Sequence, residues 1–132
     1  MNEEIFKAGY FEQVADVNAF LGSDFSVGKR MIILGASWCR PCHIYCLNIR
    51  RGEEVLKPVF AELEVQLPIH YIDSDSGSIL FEERGIANIQ SIPLTMLLNC
   101  GRNVGELYGA KSLAKEVIPE LRSAFGRIPV LK

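Results

Sequence analysis

The 132-residue chain lacks any apolar run long enough to span a bilayer. Its longest, such as Met31 to Ala36, fall far short of the roughly 20 residues a membrane helix needs. Charge of one sign is missing too: 14 basic residues face 16 acidic ones, for a formal net charge of −2. That balance is no electrostatic footprint for nucleic acid, and no polybasic patch for a membrane surface stands out. Met1-Asn2-Glu3-Glu4 is acidic where a secretory signal would be basic, and no apolar stretch follows. The expectation is a soluble, cytoplasmic protein with neither nucleic acid nor membrane as a partner. Repeats, low-complexity tracts and linker-like stretches are also missing, so one domain spanning residues 1–132 is expected. Cysteines number four, and they are not spread as a staple framework: Cys39, Cys42 and Cys46 crowd together while Cys100 stands alone. Bridges that stabilise a fold usually close longer loops, so the crowding points to chemistry.

A composition that is 48% hydrophobic and 23% charged is globular, and a chain of this length buries a core without disulfides. Phe11, Val14, Val17 and Leu21 recur at helical spacing until Gly22 stops the pattern. Met31-Ile32-Ile33-Leu34 is an uninterrupted apolar run, as in a strand buried on both faces. Cys39 to Arg51 reads as a helix, interrupted by Gly52 and Pro58, though Val55, Leu56, Val59, Phe60 and Leu63 keep helical spacing. One bent helix and two successive helices both fit. Ile69 to Asp73 reads as a second strand, entered after Pro68 and left through Ser74-Asp75-Ser76-Gly77. A short helix follows over about Ser78 to Arg84. Leu94 to Asn99 and Val104 to Tyr108, joined by Cys100-Gly101-Arg102-Asn103, read as a hairpin. Leu113, Val117, Leu121 and Phe125 mark a closing helix bent at Pro119. A βαβ unit followed by ββα predicts an α/β fold, with a central mixed sheet flanked by helices on both faces.

Trp38-Cys39-Arg40-Pro41-Cys42 lies where the first strong strand turns into a helix. Two thiols two residues apart at a helix start come within bridging reach. The outer sulfur lies near the unsatisfied N–H groups of the first turn, whose partial positive charge favours thiolate over thiol. Since the thiolate is the attacking species in disulfide exchange, this place activates Cys39. Cys42, one turn inward, is set to attack a mixed disulfide formed at Cys39. Pro41 suits an early helical position, where its missing N–H costs little.

This pentapeptide resembles the active site of the thioredoxin family. Ser91-Ile92-Pro93 resembles the family's cis-proline turn, Asn99-Cys100-Gly101 falls at its hairpin turn, and Gly109-Ala110 at the glycine after its last strand. The resemblance covers roughly Lys29 to Phe125. It implies a thioredoxin fold, with Cys39 as nucleophile, Cys42 as resolving thiol, and no cofactor or metal. Trp38, Arg40, Pro41, Ile92, Pro93, Gly109 and Ala110 would surround the outer sulfur as the substrate groove. There a partner chain would lie extended and pair with the backbone of Ile92. Protein disulfides would be the substrates, and a thioredoxin-reductase-like flavoprotein the electron donor.

The sequence departs from the family beneath the second cysteine. The family's buried Asp and its partner Lys fall on Ile33 and Ile69, so both members of that polar pair are apolar here. Arg40 replaces the usual glycine, and a cation beside Cys39 favours its thiolate and makes the disulfide more oxidising. Cys39-Arg40-Pro41-Cys42-His43 also matches the attachment pattern of c-type haem, a short pattern frequent by chance, and His43 reads as an exposed helix residue. Cys46 reads as a buried apolar residue rather than a third exchanging thiol, and a zinc site of Cys39, Cys42, His43 and Cys46 is disfavoured because residues 42 and 43 point apart. Cys100 reads as an incidental surface thiol and His70 as structural. Asp73 and Asp75 read as a strand-exit turn.

Two functions remain in play. The first is a thiol–disulfide oxidoreductase working through Cys39 and Cys42. The second is a thioredoxin-fold binding module with a redox switch and little turnover, motivated by the missing Asp–Lys pair.

Overall fold

The computed structural model describes residues 3–22 and 27–126, so Met1 and Asn2 of the acidic amino terminus lie outside it. A 3₁₀ turn over Glu3–Gly9 leads into strand β1 (Phe11–Gln13) and helix α1 (Val17–Gly22). Strand β2 (Lys29–Gly35), helices α2 (Arg40–Arg51) and α3 (Glu53–Leu63), and strand β3 (Val65–Asp73) follow. Helix α4 (Ser74–Glu83), strands β4 (Leu94–Asn99) and β5 (Arg102–Tyr108), a π-helical turn (Leu113–Val117) and helix α5 (Ile118–Phe125) are the remaining elements among the described residues. No helix among the described residues is long and apolar enough to cross a membrane.

The five strands form one mixed sheet in the order β1-β3-β2-β4-β5. β2 and β3 run parallel, joined by the α2–α3 crossover, while β4 and β5 add antiparallel. The apolar run explains why β2 is central, since every residue from Arg30 to Gly35 is buried. Alternation divides the core. Met31, Ile33, Ile69, Tyr71 and Leu97 meet α2, α3 and α5 on one face. On the other, Ile32, Leu34, Ile72, Leu94, Met96 and Leu98 meet α1 and α4. The crossover helices are amphipathic at i, i+3, i+4, i+7: Cys42, Tyr45, Cys46 and Ile49 are buried in α2, as are Leu56, Val59, Phe60 and Leu63 in α3.

Several elements differ from the sequence reading. Phe11 lies in β1, paired with Ile69, so the first helix is only Val17–Gly22. A strand of three residues is too short to show a period of its own. The break at Gly52 separates two helices, with the Leu113 side chain filling the space a Cβ would need. Pro58 lies within α3 without ending it. β3 begins at Val65, four residues before the expected start, and carries Pro68 after a cis bond. α4 begins at Ser74, because the Asp73 carboxylate accepts the Asp75 N–H at 2.8 Å and caps the helix. The hairpin turn has two residues, Cys100 (φ 51°) and Gly101 (φ 83°), both left-handed as such a turn demands. Pro119 does not bend one continuous closing helix. It sits in the first turn of α5, where the π-helical turn ends.

Candidate active site

The site grows from the carboxyl end of β2. After Gly35 the chain turns, with the Cys39 N–H donating to Ala36 O at 3.0 Å, and Cys39 becomes the N-cap of α2 in an extended conformation (φ −94°, ψ 100°). Its sulfur accepts the Cys42 N–H at 3.3 Å, so the side chain itself takes up one of the helix's orphan donors. That contact gives the sulfur the same polar surroundings that stabilise negative charge at helix starts, an effect worth about 0.3–1 kcal/mol at exposed sites. Pro41 occupies the first turn, as the sequence predicts. The Cys39 and Cys42 Cα atoms are 5.3 Å apart and the sulfurs are joined as a disulfide. Cys39 is 6% exposed and Cys42 fully buried, so only the outer sulfur can meet a substrate.

Strand pairing brings the proline turn to this place. Leu34 at the end of β2 faces Leu94 at the start of β4, so Ile92-Pro93 must lie beside the loop leaving β2. That peptide bond is cis, and Ile92 packs against Ala36, Cys39 and Cys42. Gly109, at φ 90°, donates its N–H to Pro93 O at 2.8 Å, which places Gly109 and the exposed Ala110 at the same edge. Arg40 and Pro41 are exposed next to Cys39. Trp38 is 68% exposed, yet it is not free: its Nε1–H donates to Asp75 Oδ2 at 3.0 Å. Asp73 and Asp75 do lie where β3 gives way to α4, as the sequence predicts, and they also link the cap of that helix to the ring beside the nucleophile. A contact across 37 residues leaves no mark in local spacing.

Beneath the pair, Ile33 and Ile69 are fully buried in the apolar cluster facing α2. Polar groups of other kinds stand nearby. The Tyr45 hydroxyl shares a 2.6 Å hydrogen bond with Thr95 Oγ1, and the Tyr71 hydroxyl is buried without a hydrogen-bond partner. Burial pushes the Cys46 thiol up to about 12, so it stays protonated and inert. Burial likewise raises Tyr45 and Tyr71 well above the ordinary phenol range, and the Asp73 carboxylate adds to the rise at Tyr71. His43 is half-buried rather than exposed, and its Nε2 is buried without a hydrogen-bond partner. Cys100 is exposed at the hairpin turn. His70 is 3% exposed on the opposite sheet face, 4.7 Å from the Phe20 ring, with Glu12 Oε1 3.8 Å from its Nε2. Among the described residues no three His, Cys, Asp or Glu side chains gather to hold a metal ion.

No protein-family profile matches the sequence, and no curated protein matches it. Solved structures do. The thioredoxin of Malassezia sympodialis is 20% identical over 84% of this chain and 90% of its own, with a TM-score of 0.63. Oxidised thioredoxin from Plasmodium falciparum is 20% identical over 86% and 98%, also at 0.63. Thioredoxin from Trypanosoma brucei brucei is 20% identical over 92% and 97%, at 0.60. The chain therefore has the thioredoxin fold. Its likeness to thioredoxins extends to the cysteine pair, which sits at disulfide distance in a Trp-Cys-Arg-Pro-Cys sequence. The two cysteines, joined at the start of α2, give the chain a dithiol–disulfide couple.

Proposed function

We propose that this chain is a thiol–disulfide oxidoreductase that exchanges disulfides with protein substrates. The observation that carries this reading is the placement of Cys39 as the N-cap of α2, its sulfur accepting a first-turn N–H while Cys42 waits within bonding distance. In the reduced protein, the Cys39 thiolate attacks one sulfur of a substrate disulfide. A Cys39–substrate disulfide forms, and the other substrate sulfur leaves as a thiolate that takes a proton from water. Cys42, deprotonated in turn, attacks Cys39 Sγ and expels the second substrate thiolate. Two electrons pass to the substrate, and the protein is left as the Cys39–Cys42 disulfide. A substrate strand lying along Ile92, flanked by Trp38 and Ala110, would hold its disulfide over the outer sulfur. A thioredoxin-reductase-like flavoprotein would return the two electrons.

Reduction of insulin disulfides with dithiothreitol as electron source tests the reading. Wild type is expected to accelerate precipitation of the released chain, and Cys39→Ser to run at the uncatalysed rate. Equal rates for the two proteins would end the proposal. Cys42→Ser is expected to retain substrates as mixed disulfides on Cys39. Partners held irrespective of Cys39 would instead indicate a binding module.

A further inference from the structure

A substrate strand laid along Ile92 depends on where that residue presents its backbone, and Ile92 lies in residues 84–93, which form neither helix nor strand. Ile86, Ala87, Ile89 and Ile92 rest against the apolar cluster facing α1 and α4. Toward β5 the same segment borders a cavity of about 970 Å³, lined by Glu82 of α4, by Ile86 and Asn88, and by Asn103, Gly105 and Glu106 of β5. Packing does not fix a distance across open space, so hydrogen bonds must hold the segment to the strand.

Side chains supply them. Asn103 Nδ2 donates to Ile86 O at 3.1 Å and to Glu106 Oε2 at 2.8 Å, so the amide that grips the segment is itself fixed. Glu82 Oε2 accepts the Ile89 N–H at 3.2 Å from the α4 side. The Tyr108 hydroxyl donates to Asn88 O at 2.9 Å. Tyr108 is set apart by its neighbour, because Gly109 donates its N–H to Pro93 O at 2.8 Å. Consecutive residues at the end of β5 thus hold both ends of an arch, residues 88–93, with Ile92 inside it. The Pro93 end is held by backbone, and the Asn88 end by a phenol. The hydroxyl works from a steady base, since the Tyr108 ring packs against the apolar cluster and its backbone pairs with Leu94.

We propose that Tyr108 is a positioning residue for disulfide exchange, an assignment that rests on the exchange reading above. By holding Asn88 O, its hydroxyl keeps the arch in the shape that offers the Ile92 backbone to a substrate strand. An arch released at one end samples further conformations, and the apparent affinity for a strand falls with the fraction that stays competent. Tyr108 acts through Ile92 and not on the sulfurs, whose packing neighbours are Ala36 and Ile92. The effect therefore belongs to substrates long enough to pair with a backbone.

Steady-state reduction of insulin, with dithiothreitol as electron source, tests the assignment in Tyr108→Phe, which keeps the ring and removes only the hydroxyl. KM for insulin is expected to rise about fivefold, the ratio that corresponds to the usual net worth of one hydrogen bond, while kcat holds. Hydroxyethyl disulfide is too small to pair with a backbone, and its reduction should keep the wild-type rate. In amide hydrogen exchange, peptides spanning residues 86–92 should exchange faster in the variant while those of β2 stay as protected as before. An unchanged KM for insulin would overturn the assignment. So would equal losses on insulin and hydroxyethyl disulfide, which mark a general weakening of the fold, and so would unaltered protection of residues 86–92. Wild type inert toward both disulfides would remove the exchange reading itself, and this assignment with it.

Discussion

The two faces of the sheet are drawn from the same strands but do different work. Toward α1 and α4 the buried cluster is wholly apolar: Val17, Phe20, Leu21, Ile32, Leu34, Ile72, Phe81, Leu94, Met96 and Leu98, with His70 set beside Phe20. Toward α2, α3 and α5 the buried cluster includes Tyr10, Tyr45, Cys46 and Tyr71, with Thr95 bonded to Tyr45. One face anchors the sheet, and the other supports α2, whose first turn carries the sulfur chemistry. Apolar Ile33 and Ile69 fit this division, because hydroxyls and a protonated thiol can be buried at far lower cost than an ionised pair.

Emptying the anchoring face gives the largest effect. Phe81 is fully buried, and Phe81→Ala should cost about 3–5 kcal/mol in denaturant unfolding. Thiol exchange by the molecules still folded should be unchanged, and an altered exchange rate would deny that the faces are separable. Alkali should strike the opposite face. Burial raises Cys46 to about 12, so the unfolded chain gives up that proton first as pH rises. The stability tied to this thiol is complete below the ordinary thiol value of about 8.5 and is lost progressively towards about 12. Cys46→Ala should flatten the first part of that decline, seen as melting temperature against pH. An identical decline in the variant would clear Cys46 of the effect. The smallest change concerns the strut between Trp38 and Asp75. Asp75→Ala removes one hydrogen bond worth about 1 kcal/mol, and should lower exchange with protein disulfides about fivefold while small disulfides react as before. Equal losses for both would make Asp75 a general support rather than a brace for the groove.

Local pattern explains which parts were legible beforehand. The apolar run of β2, the cysteine pair at a helix start and Ile92-Pro93 each leave a local signature and lie where expected, and the hairpin does too except that its second strand starts at Arg102 rather than Val104. β1 was misread because Phe11, Val14, Val17 and Leu21 imitate a helix, and what makes Phe11 a strand residue is its pairing with Ile69. The early start of α4 depends on Asp73 acting as a cap, which competes with its reading as a turn residue. At the site, the two cysteines were readable because their partner is each other. Trp38–Asp75 and the approach of Tyr71 to Gly35 were not, since both are made across the sheet by residues whose neighbours in sequence say nothing of them.

The central claim is that one sulfur, Cys39, is set apart by its seat at the start of α2. Alkylating the reduced protein with substoichiometric iodoacetamide over a range of pH, and mapping the label by peptide mass, tests it most directly. The label is expected on Cys39 first, with a rate midpoint below the ordinary thiol value of about 8.5. Label gathering on Cys100 or Cys42 ahead of Cys39, or a midpoint at or above that value, would contradict the account.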